Sequence, residues 1–308
     1  MSSSAIPAST TDTKSAQIPL IRTALMTVII LMVLAVALEA VIRLMALDFS
    51  VANQMMLNES LFQWARRLNR LYGGLSAVAC LVFVVGFIAV LRTPSVWVKM
   101  KGKMFVLTGL FAAQTGLGCI AVKDFLHIAP ATAYFVIVYS LWGTLIWTRL
   151  SLNRPESALV AGTRSVGYPA IRFAQITAGL AFIQSVTGGL LAGASGGKTS
   201  YPILIQLVHC WLPLVLGGVF LALGSVTVRS PINRRGRLSF RIALGLIIVQ
   251  VSGGVFNLIY HRPLALGALH SVVGVVLFGF LVILLHDLRY ESGEGVILKS
   301  GEAEIHNE

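Results

Sequence analysis

Eight apolar runs of roughly 20 residues divide this chain, at positions 22–47, 67–91, 104–122, 129–150, 170–193, 202–228, 239–260 and 264–286. About 20 apolar residues is the length an α-helix needs to cross the hydrocarbon core of a bilayer. The predicted fold is therefore an all-α integral membrane protein with about eight transmembrane helices. Composition agrees, because 56% of the residues are hydrophobic and only 12% charged, with a mean hydropathy of +0.83. A soluble globule has too little charge there to cover its exterior. A disordered chain, a disulfide scaffold and a nucleic-acid binder are excluded on the same grounds. The net charge of +12 does not reopen the last of these, since the basic residues sit in short loops between apolar runs.

Those loops also set an orientation. Of the 24 Lys and Arg, 17 fall on the side that holds both termini and 7 on the other, which predicts cytoplasmic termini in a multi-pass protein of the cytoplasmic membrane. The first run is too long for the apolar core of a signal peptide and is kept as a span. Residues 1–21 read as a disordered cytoplasmic terminus, 22–150 as an N-terminal four-helix half and 151–169 as a cytoplasmic linker. A second four-helix half follows over 170–286, then a polar cytoplasmic tail over 287–308. Cys80, Cys119 and Cys210 lie in or beside apolar runs with no C-x-x-C spacing, and read as small buried residues.

The two halves resemble one another. Gln114-Thr-Gly-Leu-Gly118 matches Gln250-Val-Ser-Gly-Gly254, each in the third helix of its half. Twenty residues on, Tyr134 falls opposite His270, and in the second helices Asn69 falls opposite His209. Duplicated helical units with sites inside each bundle are a common membrane architecture.

Of six histidines, only His209 and His270 lie inside spans; His127 and His261 fall in short outer loops, and His286 and His306 at or beyond the cytoplasmic end. His209 is 7 residues into its span and His270 is 6, so both sit roughly 10 Å deep from the same side. Two imidazoles at equal depth in one four-helix unit suit axial ligation of a heme iron. Gly267 and Gly274 flank His270 at i−3 and i+4, leaving room for a flat macrocycle. Pro213, four residues after His209, takes a backbone hydrogen bond from its carbonyl. The bland alternative is a pair of hydrogen-bonded core histidines. Zinc is disfavoured, because no carboxylate or cysteine accompanies the pair except Cys210, which points away.

Ionisable residues in the first half admit two readings each. Arg66, Arg67 and Arg70 at the outer end of the second helix either clamp an anion such as a heme propionate or snorkel to the interface. Glu39 and Arg43, spaced i,i+4, either pair structurally or place a carboxylate that handles protons beside a pocket. The small-residue runs at 187–193 and 252–254 serve close helix packing, or border a macrocycle.

Taken in order, EAVIRLMALDFS, ARRLNRLYGG, QTGLGCIAVKDFL, LVHCWLPL and LALGALHSVVG resemble the heme A synthase family across most of residues 22–286. The resemblance implies conversion of a methyl group of heme O to the formyl group of heme A, the form used by terminal oxidases. It implies heme b between His209 and His270 as a bound cofactor, and a substrate-heme pocket in the N-terminal half. There the family carries a second histidine pair and a glutamate; the matching positions here are Asn69, Tyr134 and Arg66, with Arg70 retained. The paired outer cysteines of many members have no counterpart.

The leading expectation is a divergent membrane oxidoreductase in which Asn69, Arg70, Tyr134 and Glu39 line the reaction pocket. Its partners would be heme O or heme A, an electron donor, membrane lipid, and a heme O synthase, terminal oxidase subunits or a second copy of the chain. The alternative is a non-catalytic b-type membrane cytochrome or accessory subunit that keeps only the C-terminal heme site. A heme-free transporter or assembly scaffold is the third reading.

Overall fold

The computed structural model describes residues 10–52, 59–121, 128–152, 168–194, 202–228, 232, 234–260 and 264–291. These hold eight helices: α1 (Thr10–Ala52), α2 (Glu59–Leu91), α3 (Pro94–Ala121), α4 (Ile128–Ser151), α5 (Tyr168–Ala194), α6 (Pro202–Thr227), α7 (Arg234–Ile259) and α8 (Leu264–Glu291). There is no strand among the described residues, so this is an all-α membrane protein. Seven of the helices are long and apolar enough to span a bilayer. The exception is α3, which carries Lys99, Lys101 and Lys103 near its start.

One boundary differs from the sequence reading. Residues 10–21, expected to be disordered, belong to α1. The helix is anchored there by Gln17, whose side-chain oxygen accepts a hydrogen bond from Thr93 at the α2–α3 junction. Thr93 is itself the N-cap of α3: its carbonyl accepts from Val96 and Trp97, with Pro94 in the first helical position. Most of the 151–169 linker, the tail beyond 291, and His127, His261 and His306 lie outside the described residues. So do the side chains of Arg43, Arg66 and Cys119.

The helix contacts have the form of a two-fold repeat. The pairs α1–α2 and α3–α4 of the first half recur as α5–α6 and α7–α8, and α1–α4 recurs as α5–α8. Between the halves, α1 meets α8 as α5 meets α4. The helices α4 and α8 cross at the centre. That leaves α1, α4, α5 and α8 inside, with α2, α3, α6 and α7 around them. The outer helices show this in their side chains: Leu204, Leu207, Trp211, Leu214 and Ile248 are exposed, as lipid-facing residues are.

The α4–α8 crossing is built from an exchanged pair. A Cβ on Gly279 would come 3.0 Å from Nε1 of Trp142, and one on Gly143 would come 3.2 Å from Cε1 of Phe278. Trp142-Gly143 and Phe278-Gly279 are equivalent in the repeat, so each helix sets its aromatic ring on the other's glycine. The Trp142 indole N–H also donates to the Val275 carbonyl at 3.1 Å. Without a hydrophobic force between helices in lipid, this close van der Waals fit carries the association. Overpacking a fitted contact costs about 1–3 kcal/mol. Gly279→Leu is expected to lose that much, read as loss of thermal stability of the full chain in detergent. Gly217→Leu, where nothing lies within 4 Å, should leave stability within about 0.5 kcal/mol of the parent.

Candidate functional site

His209 and His270 face each other in the second half, one on α6 and one on α8, with ring centroids 6.5 Å apart and planes at 74°. Both are half-buried. Helices α6 and α7 meet only sparsely.

Each imidazole is seated by the same device. On α5, Gln184 and Gly188 are four residues apart and both touch His209: Gln184 Nε2 is 3.1 Å from its Nδ1, and a Cβ on Gly188 would lie 3.0 Å from its Cε1. On α7, Gln250 and Gly254 repeat the arrangement around His270, with Gln250 Nε2 3.2 Å from its Nε2 and a Gly254 Cβ 3.2 Å from its Cε1. Glutamine holds the ring while the glycine one turn on leaves room for it. Thr187 adds a hydroxyl 3.2 Å from Nδ1 of His209. The Pro213 kink also has its answer here. With no N–H at Pro213, the His209 carbonyl takes its hydrogen bond from Gln184 Nε2 at 3.0 Å.

Two imidazoles bound to opposite sides of one iron have centroids about 6 Å apart, given metal–nitrogen bonds of about 2 Å. The observed separation fits that spacing. The donor set points the same way. Among the described residues no three His, Cys, Asp or Glu gather as a metal cluster, which tells against a protein-only zinc site. A heme iron takes four nitrogens from its macrocycle and asks the protein only for axial side chains. Nδ1 of His270 is buried without a hydrogen-bond partner; with the Gln250 amide turned so that its oxygen accepts from Nε2–H of His270, that nitrogen is left free to bind a metal.

The flanking glycines of α8 have other neighbours. A Cβ on Gly274 would meet Gln250 Nε2 at 3.2 Å and the Tyr139 hydroxyl at 3.5 Å. Gly267 is buried within the bundle.

The first half places one polar side chain from each of its four helices at the corresponding position: Glu39 of α1, Tyr72 of α2, Gln114 of α3 and Tyr134 of α4. The Tyr72 and Tyr134 hydroxyls are 2.6 Å apart. Gln114 donates to the Tyr72 oxygen at 3.4 Å, and Glu39 shares a hydrogen bond with Tyr134. Glu39 and Tyr134 are each only 5% exposed. Asn69 and Arg70 are exposed on α2 and stand apart from these bonds. Arg67 lies over the Trp64 ring at 5.6 Å, a cation–π contact at an interfacial position. Ligand atoms on opposite sides of one iron stand about 4 Å apart, so two hydroxyls in direct contact are not set for two-sided ligation.

One side chain of the first half reaches the helix that seats His209. Phe135, next to Tyr134, fills the space over Gly189, where a Cβ would overlap its ring. Gly189 adjoins Gly188, which seats His209.

Tyr72 and Gln184 are the site residues that the sequence reading passed over. Tyr72 lies one turn beyond Asn69, and the repeat sets Leu212 opposite it, which hid its polar role. Gln184 was findable: Gln114, Gln184 and Gln250 each precede a glycine by four residues.

Gln184→Leu should cost about 1–3 kcal/mol by stranding the His209 carbonyl. In a Pro213→Ala background, where the backbone can supply the donor, the same change should cost at least about 1 kcal/mol less. Denaturation of the four proteins of that cycle reads the difference.

Comparison with characterised proteins points to one group. The chain is 25% identical over 270 residues to the heme A synthase of Paracoccus denitrificans, covering 74% of this chain and 67% of that protein. It is 27% identical over 290 residues to the heme A synthase of Bos taurus, covering 79% and 67%. For that of Flavobacterium psychrophilum the figures are 23% over 241 residues, covering 67% and 69%. No family model matches the chain. At 23–27% identity to these three, the chain is similar to the heme A synthases.

Proposed function

We propose that the chain is a heme A synthase-type oxidoreductase of the cytoplasmic membrane, with both termini inside. It holds one heme b between His209 and His270 and converts the methyl group of heme O to the formyl group of heme A. The observation that carries the heme site is the 6.5 Å spacing of two imidazoles, each cradled by a glutamine and a glycine. The identity with heme A synthases supports the reaction.

Bound iron would supply the redox chemistry; the chain's own residues supply position and proton handling. The Thr187 hydroxyl oxygen stands where it can accept from Nδ1–H of His209, the support that metal-bound histidines generally have, while Gln184 donates to the His209 carbonyl. Oxidation of a methyl group to a formyl group with oxygen from water releases four protons and four electrons, the electrons leaving to an acceptor outside this chain. The buried Glu39 carboxylate, hydrogen-bonded to Tyr134, is placed to accept one of the protons through the Tyr134 hydroxyl. Tyr72 holds that hydroxyl in place, and Gln114 holds Tyr72. Phe135 excludes water between the two centres by filling the space over Gly189.

The Tyr72–Tyr134 contact favours a second reading. It occupies the centre where the family resemblance implies histidines, as a b-type cytochrome or accessory subunit with a single heme would allow.

The two readings separate on one experiment. The full chain is expressed in a host that makes heme O but not heme A, purified, and its extracted hemes identified by mass. Heme A in the extract, together with about one heme B per chain, is the expected result. On His270→Ala, heme B should fall by at least the roughly 10–100-fold that loss of a merely supporting group costs a metal site. Heme B alone would establish the cytochrome reading, and a colourless protein would defeat both.

A further inference from the structure

The end of the bundle where α1 begins and α4 finishes carries an open pocket of about 380 Å³, lined by Pro19, Arg22, Thr23, Met26, Thr27 and Arg149. Its two charges are both positive. Nε of Arg22 and Nε of Arg149 are each buried with no hydrogen-bond partner, and Arg22 and Arg235 both act on Arg149 as like charges. One carboxylate at this end, Asp287, is engaged by Arg235 through a two-point ion pair. Two arginines thus line one hollow, each with its Nε–H unmet, and no anion is among the lining residues. Like charges held this close are costly unless an anion lies between them.

A second feature identifies what kind of anion. Below the pocket, the same face of α1 continues as an apolar stripe: Met26, Ile30 and Leu34 are 47%, 51% and 50% exposed. Their spacing of four residues sets them one above the other along the helix. A charged pocket that opens onto an apolar stripe matches a molecule with a phosphate head and a hydrocarbon tail.

We propose that this is a binding site for an anionic phospholipid, with its phosphate between Arg22 and Arg149 and an acyl chain along Met26, Ile30 and Leu34. Guanidinium forks pair bidentately with phosphate oxygens, and basic pockets between transmembrane helices bind such headgroups. The site lies apart from both polar centres and does not depend on either holding heme. Its role is to fasten α1 to α4.

The test uses the full chain in detergent, delipidated and then titrated with phosphatidylglycerol, with phosphatidylcholine, or with inorganic phosphate at matched ionic strength, while Tm is recorded. Phosphatidylglycerol should raise Tm saturably, with half-saturation at a concentration at least about tenfold below that of phosphatidylcholine. Each arginine contributes about fivefold in affinity, so Arg22→Gln with Arg149→Gln should raise half-saturation roughly 30-fold. Lys101→Gln, at an exposed lysine of α3, should not. If the double variant does not fold, Arg22→Lys and Arg149→Lys keep the charge and should each show a smaller weakening, and the headgroup comparison on the parent chain stands by itself. A shift produced fully by inorganic phosphate would assign the pocket to a free anion and overturn the lipid assignment. Equal response to both lipids, or an unchanged response in the double variant, would overturn the site.

Discussion

The rest of the structure depends on how closely α4 and α8 approach. Trp142 rests on Gly279 and Phe278 on Gly143, so the two innermost helices exchange equivalent aromatic–glycine contacts at the centre of the repeat. That crossing fixes where α1 and α5 pack, because each meets both of the central helices. The outer helices then follow as partners of the inner ones. Each half becomes a bundle in which four helices present one polar side chain each to a common interior point. In lipid, a polar group has no water to fall back on, so these groups find one another.

The two interior points are variations on one plan. In the second half a glutamine from α5 and one from α7 each hold a histidine, and the two imidazoles stand apart across 6.5 Å. In the first half a glutamate from α1 and a glutamine from α3 serve two tyrosines, which bond directly at 2.6 Å. A short polar cluster that closes on itself and a pair of separated imidazoles are different chemical objects. The first can hold and pass a proton; the second can share an iron. The Pro213 kink shows how local sequence and tertiary contact were matched. Proline strands the His209 carbonyl, and the glutamine that steadies the ring also satisfies that carbonyl.

Much of this was legible before any coordinates. Continuous apolar runs located the helices, because span length is set by bilayer thickness rather than by packing detail. That His209 and His270 lie within helices followed from their places inside apolar runs. What resisted was register between elements. Aligning the second helices set Asn69 against His209, yet the side chain that reaches the interior is Tyr72, one turn further along α2. An alignment by identity is blind to a polar role that moves by one turn. Likewise Gly274 reads as room for a macrocycle when α8 is considered alone, whereas α7 and α4 bring Gln250 and Tyr139 against it. The polar start of α1 makes a contact that no local signal carries, the Thr93–Gln17 bond across 76 residues of sequence.

The claim on which the functional account turns is that His209 and His270 ligate one iron from opposite sides. Electron paramagnetic resonance of the oxidised full chain, as purified, tests it directly. Two axial imidazoles make the heme iron six-coordinate and low-spin, so the account predicts a single low-spin ferric signal that gives way to a high-spin one in His270→Ala. A high-spin signal in the parent chain, or a low-spin signal untouched by that substitution, would contradict it.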